Sequence, residues 1–181
     1  FSSSGSVREV DPELTLDLPD GDDGGNGNKR DDKAPVSLTR EEIAGLQFMR
    51  EEEKLARDVY LNLFDAWGLT VFENISRSEQ QHMDAIEKLI DNYGLEDPVV
   101  DEESRGIYVD PDLQALYDGL MEIGLDTATA GLVVGATIEE KDIVDIQDKI
   151  DSAHQDDIIS AYESLMCGSR NHLRAFMQNL D

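Results

Sequence analysis

Residues 39–63 read TREEIAGLQFMREEEKLARDVYLNL, and they carry the main signal for the fold. Thr39 followed by Glu42 forms a capping box, which marks a helix start, and Leu38 stands in the hydrophobic-staple position. Alternating steps of three and four residues define the inward face of that helix, which consists of Leu46, Met49, Glu53, Ala56, Tyr60 and Leu63. The stretch therefore predicts a long helix that carries one carboxylate into an apolar core.

Three further segments show the same periodicity. The four predicted long helices cover residues 39–66, 72–93, 127–151 and 156–180. Each inward face is interrupted near its middle by polar residues, which are Glu53 in the first helix, Glu79 with His82 in the second, Glu139 in the third, and Ser169 with His172 in the fourth. Because the interruptions fall at matched depth, these side chains are expected to converge inside one bundle.

The connection between the second and third long helices is itself long. Val99-Val100 and Ile107–Val109 flank a polar turn, which predicts a short β-hairpin. Pro111 then begins a small helix over residues 112–123, which Gly124 ends. Four long helices with one long crossover are the connectivity of an all-α four-helix bundle.

The converging polar residues predict a metal site. An ionised carboxylate in a dry core costs several kcal/mol, and three glutamates at one depth also repel one another. Cations would compensate both effects, and carboxylate oxygens with imidazole nitrogens suit iron, manganese or zinc. Glu79 and His82 are three residues apart, so they share one helix face. A buried polar network without metal is the alternative.

Other polar residues are expected to have no part in that site. Glu51 and Glu52 are predicted to face solvent, because a run of acids on a helix is typical of an exposed face. His154 lies between the third and fourth long helices and is predicted to be an exposed loop residue. Cys167 is the sole cysteine, which excludes an intrachain disulfide, and a small buried thiol is expected there.

Four stretches carry a family resemblance, namely EEEKLARDVY at 51–60, SEQQHM at 78–83, GATIEEKDI at 135–143 and SRNHLRAF at 169–176. Together they are similar to an uncharacterised prokaryotic ferritin-like family, a domain of unknown function in the ferritin and rubrerythrin superfamily. The resemblance covers about residues 38–181. It implies a ferritin-like four-helix bundle with a di-iron carboxylate site.

The resemblance also implies a role for each site residue. Glu53 and Glu139 would be terminal ligands on separate metals, Glu79 a bridge, and His82 and His172 one nitrogen ligand each. The two metal ions would be iron in the first place, with manganese or zinc as alternatives. Tyr60 would stand beside them and donate a hydrogen bond or an electron.

One position departs from the family pattern. Ferritins and rubrerythrins have a glutamate three residues before the last histidine, where this chain has Ser169. Asp142, one turn after Glu139, could supply the missing oxygen, or one metal could keep extra water. The implied function is therefore metal binding with Fe(II) oxidation or peroxide handling. The alternative is a structural or surface-assembly protein in which the metal merely stiffens the bundle.

The net charge of −26, from 41 acidic and 15 basic residues, excludes nucleic acid and anionic membrane as favourable partners. Such a surface is typical of a protein that works in concentrated salt, where repulsion is screened; an ordinary acidic bundle is the alternative. No apolar run reaches the roughly 20 residues that a bilayer-spanning helix needs.

Residues 1–37 differ from the bundle sequence at 38–181. ELTLDL at 13–18 has the two-residue period of a strand, and a Gly- and Asp-rich linker follows it. We expect this tail to dock on a neighbouring subunit by strand addition to the hairpin at 99–109, which would build a filament or ring of identical chains. A free tail and a tail folded back on its own bundle are the alternatives. If Phe1 follows a cleaved signal, the protein is extracellular or on the cell surface; otherwise it is cytoplasmic.

Overall fold

A computed structural model describes residues 37–181, which form five helices and contain no strand. The helices are α1 (Arg40–Trp67), α2 (Thr70–Tyr93), α3 (Pro111–Gly124), α4 (Ala128–Ser152) and α5 (Asp156–Leu180). The predicted all-helical class is confirmed, including the small helix in the crossover. The predicted strand at 13–18 and its docking lie outside the described residues. Within those residues, no helix combines the length and apolarity that a membrane crossing requires.

The helix ends follow from local chemistry. The Thr39 side chain accepts a hydrogen bond from the Glu42 N–H at 3.1 Å, and the Glu42 carboxylate accepts one from the Thr39 N–H at 2.8 Å. Glu42 also accepts hydrogen bonds from the N–H groups of His154 and Gln155, which ties the start of α1 to the link between α4 and α5. Helix α1 ends at Trp67 and is capped by Gly68, whose φ of +66° favours glycine.

The long helices pack pairwise: α1 contacts α2 and α4, and α5 contacts α4 and α2. Their buried apolar residues form two clusters. The first surrounds Tyr60, Phe72 and Phe176, and the second surrounds Met49 and Ile86. On each of the four helices, the polar interruptions fall in sequence between members of the two clusters. The polar residues in the middle of the four long helices, here called the polar level, thus have apolar packing on both sides along the helices.

The predicted hairpin at residues 99–109 is wrong. This segment consists of turns, bends and irregular backbone, and its backbone groups bond to side chains of α1, of Asp97 and of Gln114 on α3. The Gly106 N–H donates to Asp58 Oδ2 at 3.0 Å, and the Ser104 carbonyl accepts from Lys54 Nζ at 2.7 Å. The Glu51 carboxylate accepts from the N–H groups of Val109 and Asp110. The strand acceptor expected for the N-terminal tail is therefore absent from the described residues.

The predicted exposure of Glu51 and Glu52 is also wrong, since each is only 4% exposed. The crossover segment and α3 cover the side of α1 that would otherwise face solvent, so every residue from 49 to 60 is buried. The expected burial of Cys167 is wrong as well, because its side chain is exposed. His154 is exposed, as predicted.

Candidate metal centre

Five of the six predicted ligand residues come together as two groups that share one member. Glu53, Glu79 and His82 form the first group, and Glu79, Glu139 and His172 form the second. Within each group, one potential ligand atom from every residue lies within 4.8 Å of the others, and all five residues are buried. We refer to these five residues as the candidate centre.

Glu79 occupies the middle of the candidate centre, and its two oxygens face different histidines. Nδ1 of His82 lies 2.8 Å from Glu79 Oε2 and 3.0 Å from Glu53 Oε2. Nδ1 of His172 lies 2.9 Å from Glu79 Oε1 and 3.4 Å from Glu139 Oε2. A carboxylate that presents one oxygen to each of two neighbouring sites has the arrangement of a bridging ligand.

Two small residues fix the orientation of the imidazole rings. Nε2 of His172 pairs with the Ser78 hydroxyl at 2.9 Å, which leaves Nδ1 to face the carboxylates. The His82 ring packs against Gly168, where a Cβ atom would lie 2.5 Å from Nε2. Neither residue follows from periodicity. The available signal is that both are small and stand next to inward positions, Ser78 before Glu79 and Gly168 before Ser169.

Tyr60 contacts the candidate centre through Glu139. Its hydroxyl donates a hydrogen bond to Glu139 Oε1 at 2.6 Å, and its ring is fully buried beside Phe176. Burial, followed by the charges of Glu139 and Glu79, raises the pKa of Tyr60 well above its usual range. The phenol therefore stays protonated and orients the Glu139 carboxylate.

Asp142, the sixth predicted residue, belongs to neither of the two groups found in the described chain. It is 5% exposed, and its Oδ2 contacts the hydroxyl of the fully buried Ser169. Its other oxygen, Oδ1, has no hydrogen-bond partner within residues 37–181. Ser169 thus holds Asp142 beside the candidate centre, at the position where the family resemblance implies a glutamate.

Protons balance the charges of the candidate centre. Burial alone would lower the pKa of His82 and His172, but the facing carboxylates outweigh it and raise these values to about 11 and about 10. Burial raises the pKa of Glu53 to about 7 and that of Glu139 to about 8. For Glu79, the two histidines outweigh burial and lower the pKa to about 2. In the metal-free protein these shifts favour imidazolium, which offsets part of the carboxylate charge. A bound metal ion would displace these protons, because a histidine ligand must be neutral.

Several buried polar atoms remain unpaired at this level of the described chain. Glu53 Oε1, Glu79 Oε1 and His172 Nδ1 have no hydrogen-bond partner, since the 2.9 Å approach of the last two lacks hydrogen-bond alignment. Leaving a buried polar group unsatisfied costs about 1–3 kcal/mol. One metal ion near Glu53 and another near Glu79 and deprotonated His172 would satisfy these three atoms. This oxygen and nitrogen donor set fits iron, manganese or zinc.

Comparison with known proteins identifies a matching family and a similar protein of known structure. A family profile described as "Uncharacterized protein domain (DUF2202)" matches residues 42–181. The uncharacterized protein MJ0754 of Methanocaldococcus jannaschii is 48% identical over 149 residues, which are 82% of this chain and 79% of the relative. A crystal structure of MJ0754 matches with a TM-score of 0.78 and covers 80% of this chain and 82% of that chain.

Proposed function

This chain belongs to the DUF2202 family of uncharacterised domains, and we propose that it is a ferritin-like metal-binding protein whose buried Glu and His residues hold two transition-metal ions. The observation that carries the proposal is the position of Glu79, whose two oxygens face His82 and His172 separately. Each histidine also belongs to its own group of three potential ligand residues, and Glu79 belongs to both groups. This arrangement supports two adjacent sites with a shared ligand.

The ligand assignment follows the geometry. Glu53 and His82 would hold one ion, Glu139 and His172 the other, and Glu79 both. The Nδ1 atoms would be the histidine ligands, because Nε2 of His172 is already paired with Ser78. In this proposal α1, α2, α4 and α5 are the four helices of a ferritin-like bundle, and α3 belongs to its crossover.

Iron is the metal we propose, since two ferrous ions supply the electrons that reduce dioxygen or peroxide. The protein's own residues prepare the site for this chemistry. Tyr60 holds the Glu139 carboxylate through its hydroxyl proton. The two apolar clusters pack on both sides of the polar level and limit its contact with bulk water, which strengthens charge interactions there. Asp142 offers an unpaired oxygen next to the ligands, in place of the carboxylate that Ser169 lacks.

Metal analysis tests the proposal. Protein purified without chelators and saturated with Fe(II) under nitrogen should contain two ions per chain. His82→Ala and His172→Ala should each lose metal, whereas His154→Ala, which removes an exposed histidine, should keep the full content. Equal metal contents in all three variants would refute the assignment.

Turnover is a separate measurement. Air added to the ferrous protein should produce ferric absorbance faster than in buffer alone, and the two ligand variants should lose this acceleration. A protein that binds two ions but does not accelerate Fe(II) oxidation would have a metal that only stabilises the fold.

A further inference from the structure

The two halves of the candidate centre differ in how the rest of the protein holds them. We call Glu79, Glu139 and His172 the His172 position, and Glu53, Glu79 and His82 the His82 position. The two positions share Glu79 and are buried alike, since the histidine side chains are 10% and 11% exposed. A difference in their metal affinity must therefore come from other contacts of their ligand residues.

Two groups outside the candidate centre hold the His172 position. The Ser78 hydroxyl pairs with His172 Nε2 at 2.9 Å, and the Tyr60 hydroxyl donates to Glu139 Oε1 at 2.6 Å. Tyr60 is itself fixed, because its ring has no exposed surface and packs against Phe176 at a centroid distance of 5.2 Å. The imidazole and the carboxylate of this position are thus oriented before an ion arrives.

The His82 position lacks such support among the described residues. Its imidazole packs against Gly168, which has no side chain that could pair with Nε2. Its own carboxylate, Glu53, keeps Oε1 without a hydrogen-bond partner within residues 37–181. Glu53 Oε2 lies 3.0 Å from His82 Nδ1, so the two residues are paired with each other rather than held from outside.

An arriving ion would also meet different competition at the two positions. At the His82 position, Nδ1 already contacts Glu53 Oε2 and lies 2.8 Å from Glu79 Oε2, so an ion must break these contacts. At the His172 position, Nδ1 and Glu79 Oε1 both lack a hydrogen-bond partner in the described chain. Unpaired buried atoms raise the free energy of the metal-free state, which favours binding where they lie.

We propose that Ser78 and Tyr60 are positioning residues that make the His172 position the tighter of the two, so that it takes the first divalent metal ion. The His82 position takes the second ion more weakly and exchanges it more readily. This inference rests on the proposed function, because it assigns an order to the two ions. Ligands that are already oriented lose less conformational freedom on binding, and outer hydrogen-bond partners of metal ligands typically contribute about 10–100-fold in metal affinity.

Variants that keep one histidine separate the two positions. His82→Ala leaves the His172 position intact, and His172→Ala leaves the His82 position intact. Calorimetric titration of the metal-free full chain with Co²⁺ should give one binding step in each variant, with a Kd at least about tenfold lower in His82→Ala. Equal dissociation constants, or tighter binding by His172→Ala, would overturn the inference.

The positioning residues are tested in these two variants. Ser78→Ala or Tyr60→Phe, added to His82→Ala, should weaken Co²⁺ binding about tenfold. Added to His172→Ala, each should change the Kd less than about twofold, because the affected position is already lost. Ser78→Thr keeps the hydroxyl and should restore the affinity. A residue with a merely structural role would weaken binding in both variants alike.

Two matched controls remove the same groups elsewhere in the core. Ser76→Ala removes another serine hydroxyl of α2, one that is buried and bonded to the Glu73 carbonyl at 2.9 Å. Tyr162→Phe removes a buried phenol hydroxyl that has no hydrogen-bond partner among the described residues. Both should change the Kd less than about twofold in either variant. Thermal melting of each protein verifies that it is folded.

The remaining outcomes separate this inference from the proposed function. If the unmodified protein binds two Co²⁺ ions but neither single-histidine variant binds any, no position is tighter by itself, and the inference is overturned while the two-ion centre stands. The same holds if Ser78→Ala and Tyr60→Phe act equally in both variants. If the unmodified protein binds no Co²⁺, the proposed function fails and the inference fails with it.

Discussion

Helix α1 carries charged side chains into the interior on two sides, and the two sides differ in how their charges are satisfied. Arg50, Glu51, Lys54, Arg57 and Asp58, here called the loop-side network, face residues 97–110. Glu53 faces the candidate centre on the other side. Both sets come from nine consecutive residues, 50–58, so local sequence does not separate them.

The loop-side network is nearly saturated. Asp58 is fully buried, yet it accepts from Lys54 Nζ at 2.5 Å, Arg57 Nη2 at 2.9 Å, and both the Gly106 N–H and the Tyr108 hydroxyl at 3.0 Å. In this network only Arg50 Nη1 lacks a partner within the described chain. The candidate centre instead keeps unpaired atoms on Glu53, Glu79 and His172. Saturation is typical of a structural role, whereas unpaired oxygen and nitrogen atoms on neighbouring Glu and His residues could hold a metal ion.

Removal of Asp58 is the strongest test of the structural side. Asp58→Ala leaves Lys54 and Arg57 buried without their shared carboxylate, and breaking a buried ion pair in this way costs about 3–5 kcal/mol. The loss in free energy of unfolding, measured by urea denaturation, should be the same with and without metal. Asp65→Ala is the control, since its exposed pair with Arg105 should contribute less than about 1 kcal/mol. A loss that depends on metal would place Asp58 in the metal site.

Replacing His82 or His172 should change stability mainly when metal is present, in contrast to the metal-independent loss expected for Asp58→Ala. The melting temperature of the unmodified protein should rise with Co²⁺ concentration, because a ligand that binds only the native state stabilises it by about 2.7 kcal/mol at a hundredfold excess over its dissociation constant. His82→Ala and His172→Ala should melt at temperatures that respond less to Co²⁺, while His154→Ala responds like the unmodified protein. Parallel shifts in all four proteins would make His82 and His172 packing residues only.

The two sides of α1 differ in how well the sequence alone predicts them. The inward faces could be predicted because helical periodicity is a local property, so Glu53, Glu79, His82, Glu139 and His172 were placed at one level from spacing alone. What covers the outer face of α1 is not local. The burial of Glu51 and Glu52 depends on where the crossover and α3 pack, which no pattern within α1 reveals.

The hairpin failed for a related reason. Alternating apolar residues form a strand only if their backbone groups pair with another strand. Here the N–H groups of Val99, Tyr108 and Val109 bond instead to the side chains of Asp97, Gln114 and Glu51. A charged side chain that reaches a backbone group 50 residues away leaves no signature in the sequence. The same limit applies to Ser78, whose partner His172 lies on another helix.

Salt should change the contribution of exposed charges to stability more than that of buried charges. With a net charge of −26, raising NaCl from about 0.1 M to about 1 M shortens the screening distance from about 10 Å to about 3 Å and weakens repulsion between exposed carboxylates. We expect the melting temperature of the metal-free protein to rise by about 3 °C, or about 1 kcal/mol. The loss caused by Asp58→Ala should stay constant across this range, because buried pairs are poorly screened. A melting temperature unaffected by salt would contradict the prediction of a protein suited to high salt.

The edge of the loop-side network should respond to acid. Glu102 accepts from Arg50 and is one-third exposed; burial opposes its ionisation, but the Arg50 guanidinium outweighs burial and lowers the pKa of Glu102 below its ordinary value of 4.5. A lowered pKa in the folded state means that folding favours the ionised form. The stabilisation is therefore complete above pH 4.5 and disappears as the pH falls through the lower folded-state value.

Glu102→Gln should accordingly cost less than about 1 kcal/mol at neutral pH, as expected for a partly exposed pair. Its unfolding curve should approach that of the unmodified protein only as the pH falls through the lowered folded-state pKa of Glu102, where this residue becomes protonated in both states. Glu103→Gln, at an exposed neighbouring position, is the control and should be neutral throughout. A difference between Glu102→Gln and the unmodified protein that persists undiminished in acid would mean that Glu102 stabilises the loop by packing, and that the ion pairs of Arg50 that matter are those with Asp97 and Glu87.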